Sequence, residues 1–269
     1  MTTSVWRALL GNHLSLPSKG AVLLFGVVAM TMGTACSKEE PSVARTAPPA
    51  ASAPAQAAAA GQRRFEIAEG TTTFLIDAPL EKIKGRSTKV RGTLDVDPSN
   101  LKTGKGQIEV DLAELKTETF GDAEKDTSQA AHAQNWLEIG SDVEQKRRDE
   151  NRWVRFTIKA IDDANPTKLA AAEAQNGQRA VTVQATGDLW LHGVTSSKKV
   201  NVALTLDGPL EAPTSLRIVT TQPLKVSLKE HDVKPRDLAG KFLSGALEKI
   251  GQKIDDTVQI SLDLTAKPK

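Results

Sequence analysis

Residues 187–206, GDLWLHGVTSSKKVNVALTL, carry the reading on which the fold turns. Apolar side chains alternate on both sides of a His-Gly pair, with Leu189 and Leu191 before it and Val200, Val202, Leu204 and Leu206 after it. A period of two puts these residues on one face of a strand and turns Asp188, Asn201 and Thr205 to the other. Gly193 supplies the positive φ that a tight bend needs, so the stretch reads as a hairpin with His192 at its turn. His192 is expected to bond a nearby backbone carbonyl, because no nucleophile or carboxylate pattern accompanies it. Trp190 falls on the face opposite the leucines, over a packed helix or at a rim.

The same alternation recurs along the chain. Phe74 and Ile76 share a face, as do Val90, Leu94 and Val96, then Ile108, Val110 and Leu112, then Val154, Phe156 and Ile158. Val181, Val183 and Ala185 lead into the opening stretch; Leu224, Val226 and Leu228, and finally Val258, Ile260, Leu262 and Leu264, complete eight segments. Leu216–Thr220 either joins the strand at Leu224 across Pro223 or stands alone. One apolar and one polar face per strand indicate antiparallel strands half exposed to water. So many one-sided strands pair as two sheets or close on themselves, and closure removes the exposed edges. The fold class expected is all-β, an antiparallel barrel of eight strands, whose interior is either filled by side chains or holds one small ligand.

Two segments break the pattern. Gly121–Glu138 is Ala-rich with acidic residues at its start and reads as a helix or helical loop ending near Trp136–Leu137. Leu238–Ile254 spaces Leu238, Phe242, Leu243, Ala246, Leu247, Ile250 and Ile254 by threes and fours, a long amphipathic helix near the C-terminus. Lys168–Glu173 reads as a short helical insertion, Lys102–Gly106 as a hairpin turn, and Lys146–Glu150 as a solvated loop. The acidic pairs Asp162-Asp163 and Asp255-Asp256 are assigned to turns.

The N-terminal region is read as export and anchoring. Arg7 and Lys19 precede the apolar run Ala21–Met30, and small residues lead to Cys36, so residues 1–35 are expected to be a secretory signal peptide. The run is shorter than the roughly 20 residues that span a bilayer. Cys36 is the only cysteine, and Gly33-Thr34-Ala35-Cys36 resembles a bacterial lipobox, which implies acylation of Cys36 and a membrane-tethered lipoprotein. Residues 36–62 then form the lipidated Cys and an Ala/Pro-rich tether, extended or disordered, and residues 63–269 the barrel domain. Residues 1–35 hold two basic and no acidic side chains, so of 35 basic and 33 acidic residues the mature part keeps 33 of each and no net charge. That balance gives no footprint for nucleic acid.

Chemistry-bearing motifs are scarce. The histidines are His13, His132, His192 and His231, none at the short spacing of a metal-binding pair, and no cysteine follows Cys36. Neither G-x-S-x-G nor H-E-x-x-H occurs, and Lys102-Thr103-Gly104-Lys105-Gly106 lacks the Walker spacing. The expectation is a protein with no catalytic residues, no metal and no cofactor.

Gly187-Asp188-Leu189-Trp190-Leu191-His192-Gly193-Val194-Thr195 resembles the G-D-L-T-L-H-G-V-T signature of the YceI-like family. Phe74–Asp77, Gly92–Asp97 and Ile108–Leu112 followed by Leu115-Lys116-Thr117 are similar to that family's first half, so the likeness spans about residues 65–266. The resemblance implies a lipocalin-like barrel in the bacterial cell envelope, on the periplasmic face, holding a polyisoprenoid or an isoprenoid-quinone-like lipid in its lumen. The lumen candidates are the inward residues Phe74, Ile76, Val96, Val110, Phe156, Ile158, Leu189, Leu191, Val202 and Leu204. The alternative is a structural or protein-interaction barrel in which the same residues fill the core.

Overall fold

The computed structural model describes residues 44–48, 61–77, 82–234 and 256–269. Among them the chain forms β1 (Arg63–Asp77), β2 (Lys82–Ser87), β3 (Val90–Val96), β4 (Lys105–Asp111), β5 (Lys116–Thr117), α1 (Ala123–Trp136), α2 (Gln145–Asn151), β6 (Trp153–Asn165), β7 (Gln178–Leu191), β8 (Val194–Asp207), β9 (Ser215–Thr220), β10 (Leu224–Ser227) and β11 (Thr257–Pro268). Neighbours run β1–β3–β4–β6–β7–β8–β9–β11, and β11 pairs again with β1, from Phe65↔Pro268 to Ile76↔Val258. The eight-stranded antiparallel sheet therefore closes into a barrel, as the one-sided alternation predicts.

The three short strands extend wall positions that are interrupted part-way. The second half of β1 pairs with β2 and its first half with β3, while β9 and β10 both lie along β11. The physical cause of each break is local. Pro223, between β9 and β10, has no N–H to give a ladder. Asp111 ends β4 by taking the N–H of Ala113 on its own carboxylate at 3.0 Å, starting the 3-10 turn that separates β4 from β5. Between β2 and β3, the Ser87 hydroxyl replaces ladder partners, donating to the Asp111 carbonyl at 2.9 Å and accepting from the Lys89 N–H at 3.3 Å.

The opening stretch is the hairpin β7–β8, paired without a break from Gln178↔Asp207 to Leu191↔Val194. Its two-residue loop has positive φ at both positions, 52° at His192 and 81° at Gly193, the pattern of a type I′ turn. The sequence reading placed positive φ on the glycine; histidine shares it because an adjacent side-chain network holds it there.

The apolar interior divides into two clusters. One contains Phe65, Leu94, Leu206, Leu216 and Leu264 and is closed by Leu101 and Leu169 from short 3-10 turns. The other contains Leu112, Leu115, Leu189, Leu191 and Val226, with Ala133 and Leu137 of the α1 region packed on it. α1 is launched by Asp122, whose carboxylate accepts from the N–H groups of Glu124 and Lys125 at 3.1 and 3.0 Å.

Two local assignments change and one holds in part. Lys146–Glu150, read as a solvated loop, lies within α2, and Asn151 at its end is buried. Asp162-Asp163 lies inside β6, where the pairing with β7 slips between Ile161 and Asp163. The slip turns Asp162 outward to accept from Thr186 Oγ1 and pair with Lys199 Nζ at 3.2 Å. Lys102–Gly106 keeps its hairpin assignment in part: Lys102 and Thr103 end the 3-10 turn in the β3–β4 hairpin connection, and Lys105 and Gly106 already belong to β4. The expected helix Leu238–Ile254, the signal peptide and Cys36 lie outside the described residues.

Candidate functional site

The inward faces of the strands do not meet. They enclose a cavity of about 210 Å³ that runs from Leu101 and Ile161 in one cluster to Leu228 and Val233 beyond the other. Phe74, Ile76, Val96, Val110, Phe156, Ile158, Leu189, Leu191, Val202 and Leu204 all line it. The alternation that assigns them to one face is the signal that finds them. Leu228 continues the alternation of Leu224 and Val226, whereas Trp136 and Leu137 from the end of α1 and Val233 after β10 join the lining without any periodic signal of their own. Only the tertiary fold brings them over the barrel end.

Two glycines keep the lumen open. Phe74 sits directly across from Gly85, and a Cβ at Gly85 would lie 2.1 Å from its ring. Phe156 lies against Gly187 in the same way, with 2.5 Å to its ring. Each ring lies back on bare backbone of the next strand and so lines the wall without crossing the lumen. The first residue of the GDLWLHGVT motif thus acts by having no side chain.

The motif's histidine is a structural tie. His192 is 2 % exposed; its Nδ1 faces the carbonyl of His231 at 3.1 Å and its Nε2 faces Glu138 Oε2 at 3.3 Å. The expected carbonyl bond is present, and the carboxylate that the sequence reading did not find is Glu138, 54 positions earlier and held at φ 55° just past α1. Arg147 Nε and Asn151 Nδ2 also donate to that carboxylate. Burial raises the Glu138 pKa, but the His192 and Arg147 contacts outweigh it and hold the group well below the usual glutamate range.

His231 is fully buried, with Nδ1 donating to the Leu191 carbonyl at 3.3 Å and Nε2 accepting from Ser196 Oγ at 3.0 Å. Burial lowers its pKa, which suits the neutral ring that this pattern requires. Neither histidine lines the cavity. The network joins the hairpin tip, the end of α1 and the turn after β10, and none of His192, His231 and Glu138 belongs to the lining of the cavity. Among the described residues no three potential metal ligands come together. His132 belongs to α1.

The sequence model of the YceI-like domain matches residues 64–266. The chain belongs to the YceI-like family. Its barrel is similar to the polyisoprenoid binding domain from Saccharophagus degradans implicated in plant cell wall breakdown, at 13% identity and TM-score 0.50, over 76% of this chain and 98% of that one. It is also similar to BcnA of Burkholderia cenocepacia, at 17% identity and TM-score 0.48, over 74% of this chain and 96% of that one. No curated protein sequence matches the chain. The family is one of binding proteins.

In this YceI-like barrel the outer face next to the motif is also built. Outward residues of β4, β6 and β7 are buried: Glu109 and Arg155, expected on the watered face, are 2 % and 7 % exposed, and Trp190, expected over a packed helix or at a rim, is 1 % exposed. Arg91 and Arg155 both donate to Glu109, and the Arg155 guanidinium lies 5.2 Å from the Trp190 ring. Residues 44–48 complete the cover: Thr46 N–H bonds the Gly193 carbonyl at 2.6 Å, and its own carbonyl accepts from Trp190 Nε1 at 3.5 Å. Arg45 Nη2 reaches the His192 carbonyl at 3.3 Å. Residues 44–48, expected to be extended or disordered, are held here, where the Thr46 carbonyl gives the buried Trp190 N–H its acceptor.

Proposed function

We propose that the protein is an exported, membrane-tethered carrier that holds a polyisoprenoid or an isoprenoid-quinone-like lipid in the lumen of its barrel. The observation that carries this reading is the continuous cavity lined almost entirely by Val, Leu, Ile and Phe. An engineered apolar cavity of about 150 Å³ stays dry and takes up benzene, so one of about 210 Å³ is poorly suited to water and well suited to hydrocarbon. Each CH₂ transferred there contributes about 0.8 kcal/mol, which lets a branched hydrocarbon chain bind with few polar contacts. Family membership and the fold shared with a polyisoprenoid binding domain support the same ligand class. A filled structural barrel is the weaker reading, because all ten inward residues border the cavity, although most of them also pack in the two clusters.

Export and anchoring rest on the N-terminal sequence, with acylated Cys36 as the anchor and the periplasmic face of the cell envelope as the location. Native mass spectrometry of protein purified under mild conditions tests the carrier: a retained mass that extracts into organic solvent is expected. Ligand-free protein that also fails to take up an added polyisoprenoid overturns it. Fractionation tests the anchor, since Cys36→Ala is expected to move the protein from the membrane to the soluble fraction.

A further inference from the structure

Between β8 and β10 the barrel wall has no hydrogen-bonded ladder. β8 pairs with β9 from Asp207↔Ser215 to Val202↔Thr220, and the Thr221 N–H still reaches the Asn201 carbonyl at 2.9 Å. Beyond Pro223 the chain rejoins the sheet as β10, which pairs with β11 and not with β8. Among the described residues, no backbone hydrogen bond crosses from residues 194–200 to β10 or to the turn at residues 228–233. The lips of this seam border the cavity, Val200 on one side and Leu224, Val226 and Leu228 on the other. The inward parity of β8 turns polar at the same place, where Ser196 and Lys198 precede Val200 and Val202 by steps of two. Neither belongs to the lining. Both reach across the seam, Lys198 Nζ to Glu230 Oε2 and Ser196 Oγ to His231 Nε2 at 3.0 Å.

A ladder parts only by breaking consecutive main-chain bonds, whereas these contacts let go when side chains rotate. The further contacts of His231, to the Leu191 carbonyl and to His192 Nδ1, also run through side chains. The turn can follow β10: its Leu228 N–H bonds the Asp256 carbonyl, and its other backbone bonds among the described residues lie within itself. One end of the barrel is closed by Leu101 and Leu169, and Trp136 and Leu137 lie over the other. We infer that the seam between β8 and β10 is the route by which an apolar chain enters and leaves the lumen, with Lys198–Glu230 and Ser196–His231 as its latch. This rests on the carrier reading and adds where the ligand crosses the wall.

Exchange rates separate a route from a static contact, because a route sets rates and not the equilibrium. The full chain carrying Lys198→Cys and Glu230→Cys, with Cys36→Ala so that no other thiol remains, is bridged by a short bismaleimide. Stopped-flow fluorescence then follows a dansyl-labelled farnesyl chain. The bridge is expected to slow uptake and release alike by about tenfold or more, with Kd changed less than about twofold. The same bridge across the laddered wall, at Gln184→Cys and Asn201→Cys on the outward faces of β7 and β8, is expected to change neither rate. Lys198→Met, without a bridge, is expected to speed both rates about two- to fivefold, the worth of a partly exposed ion pair. A bridged seam that exchanges as fast as its unbridged parent overturns the route and leaves the carrier standing. So does equal slowing by the bridge at positions 184 and 201. Lys198→Met with the rates of wild type overturns the latch. Failure of wild type to take up the probe overturns the carrier and the route together.

Discussion

The ring of Phe156 on β6 lies against the bare backbone of Gly187 on β7, where a Cβ would come within 2.5 Å of the ring and of the Thr157 carbonyl. Phe156 lines the cavity and Gly187 shares the inward face of β7 with Leu189 and Leu191, so the glycine decides whether the ring lies along the wall or projects across the cavity. Gly187→Ala is expected to cost about 1–3 kcal/mol, the usual penalty of overpacking. The carbonyl contact cannot be relieved by a side-chain rotation. Urea unfolding measures the loss, and a variant as stable as wild type would show that Phe156 is free to move.

Leu204 tests the spare room itself. It is inward on β8 and lines the cavity. Leu204→Trp is expected to lower lipid uptake at least tenfold while costing less than the 1–3 kcal/mol of an overpacked core. Loss of fold in this variant, without ligand binding in wild type, would mean that the interior is a packed core.

Acid should unfold the protein in two stages. His231 has its pKa lowered by burial, so the unfolded chain takes up a proton that the folded one resists. Stability therefore falls as pH drops below about 6.5, the ordinary histidine value. The Glu138 carboxylate is depressed, so its contribution is complete above about pH 4.3 and is lost as pH falls toward its lower folded value. Glu138→Gln is expected to cost about 1.5–3 kcal/mol at pH 7, as for hydrogen bonds to a charged group, and to flatten the profile below pH 4.3. His231→Gln should flatten it just below about pH 6.5, the ordinary histidine value. Denaturation midpoints across pH 3–8 decide the matter; an unchanged slope in either variant refutes its assignment.

Removing residues before Gly61 should uncover Trp190. Its indole N–H loses the Thr46 carbonyl and its ring loses the adjacent segment. The expected result is a red-shifted, more quenchable emission, assigned to Trp190 by its absence in Trp190→Phe. The truncated protein should also lose about 1 kcal/mol, from the few hydrogen bonds that the segment contributes. Unchanged emission would mean that residues 44–48 do not cover Trp190 in solution.

What the sequence determined by itself is whatever depends on neighbours along the chain. Alternation fixes which face of a strand is apolar, because successive side chains point to opposite sides. That was enough to place Leu189, Leu191, Val202, Leu204 and the six other inward candidates on one surface, to be buried either between two sheets or inside a closed barrel. The His192-Gly193 bend was legible for the same local reason. The motif also pointed to the family.

The tertiary structure decided what depends on distances between remote segments. Period two cannot say whether opposite walls touch; Gly85 and Gly187 let two rings lie back from the cavity, yet the strand that holds Gly85 had no reading in the sequence and Gly187 stood out only as the first residue of the motif. Glu138 joins His192 only because α1 ends beside the hairpin tip, and Trp190, Glu109 and Arg155 are buried although they face outward. A pattern of polar and apolar residues records which side of a strand meets the first layer of packing. It carries no record of a second layer laid over the outside, since that layer is supplied by segments far away in the chain.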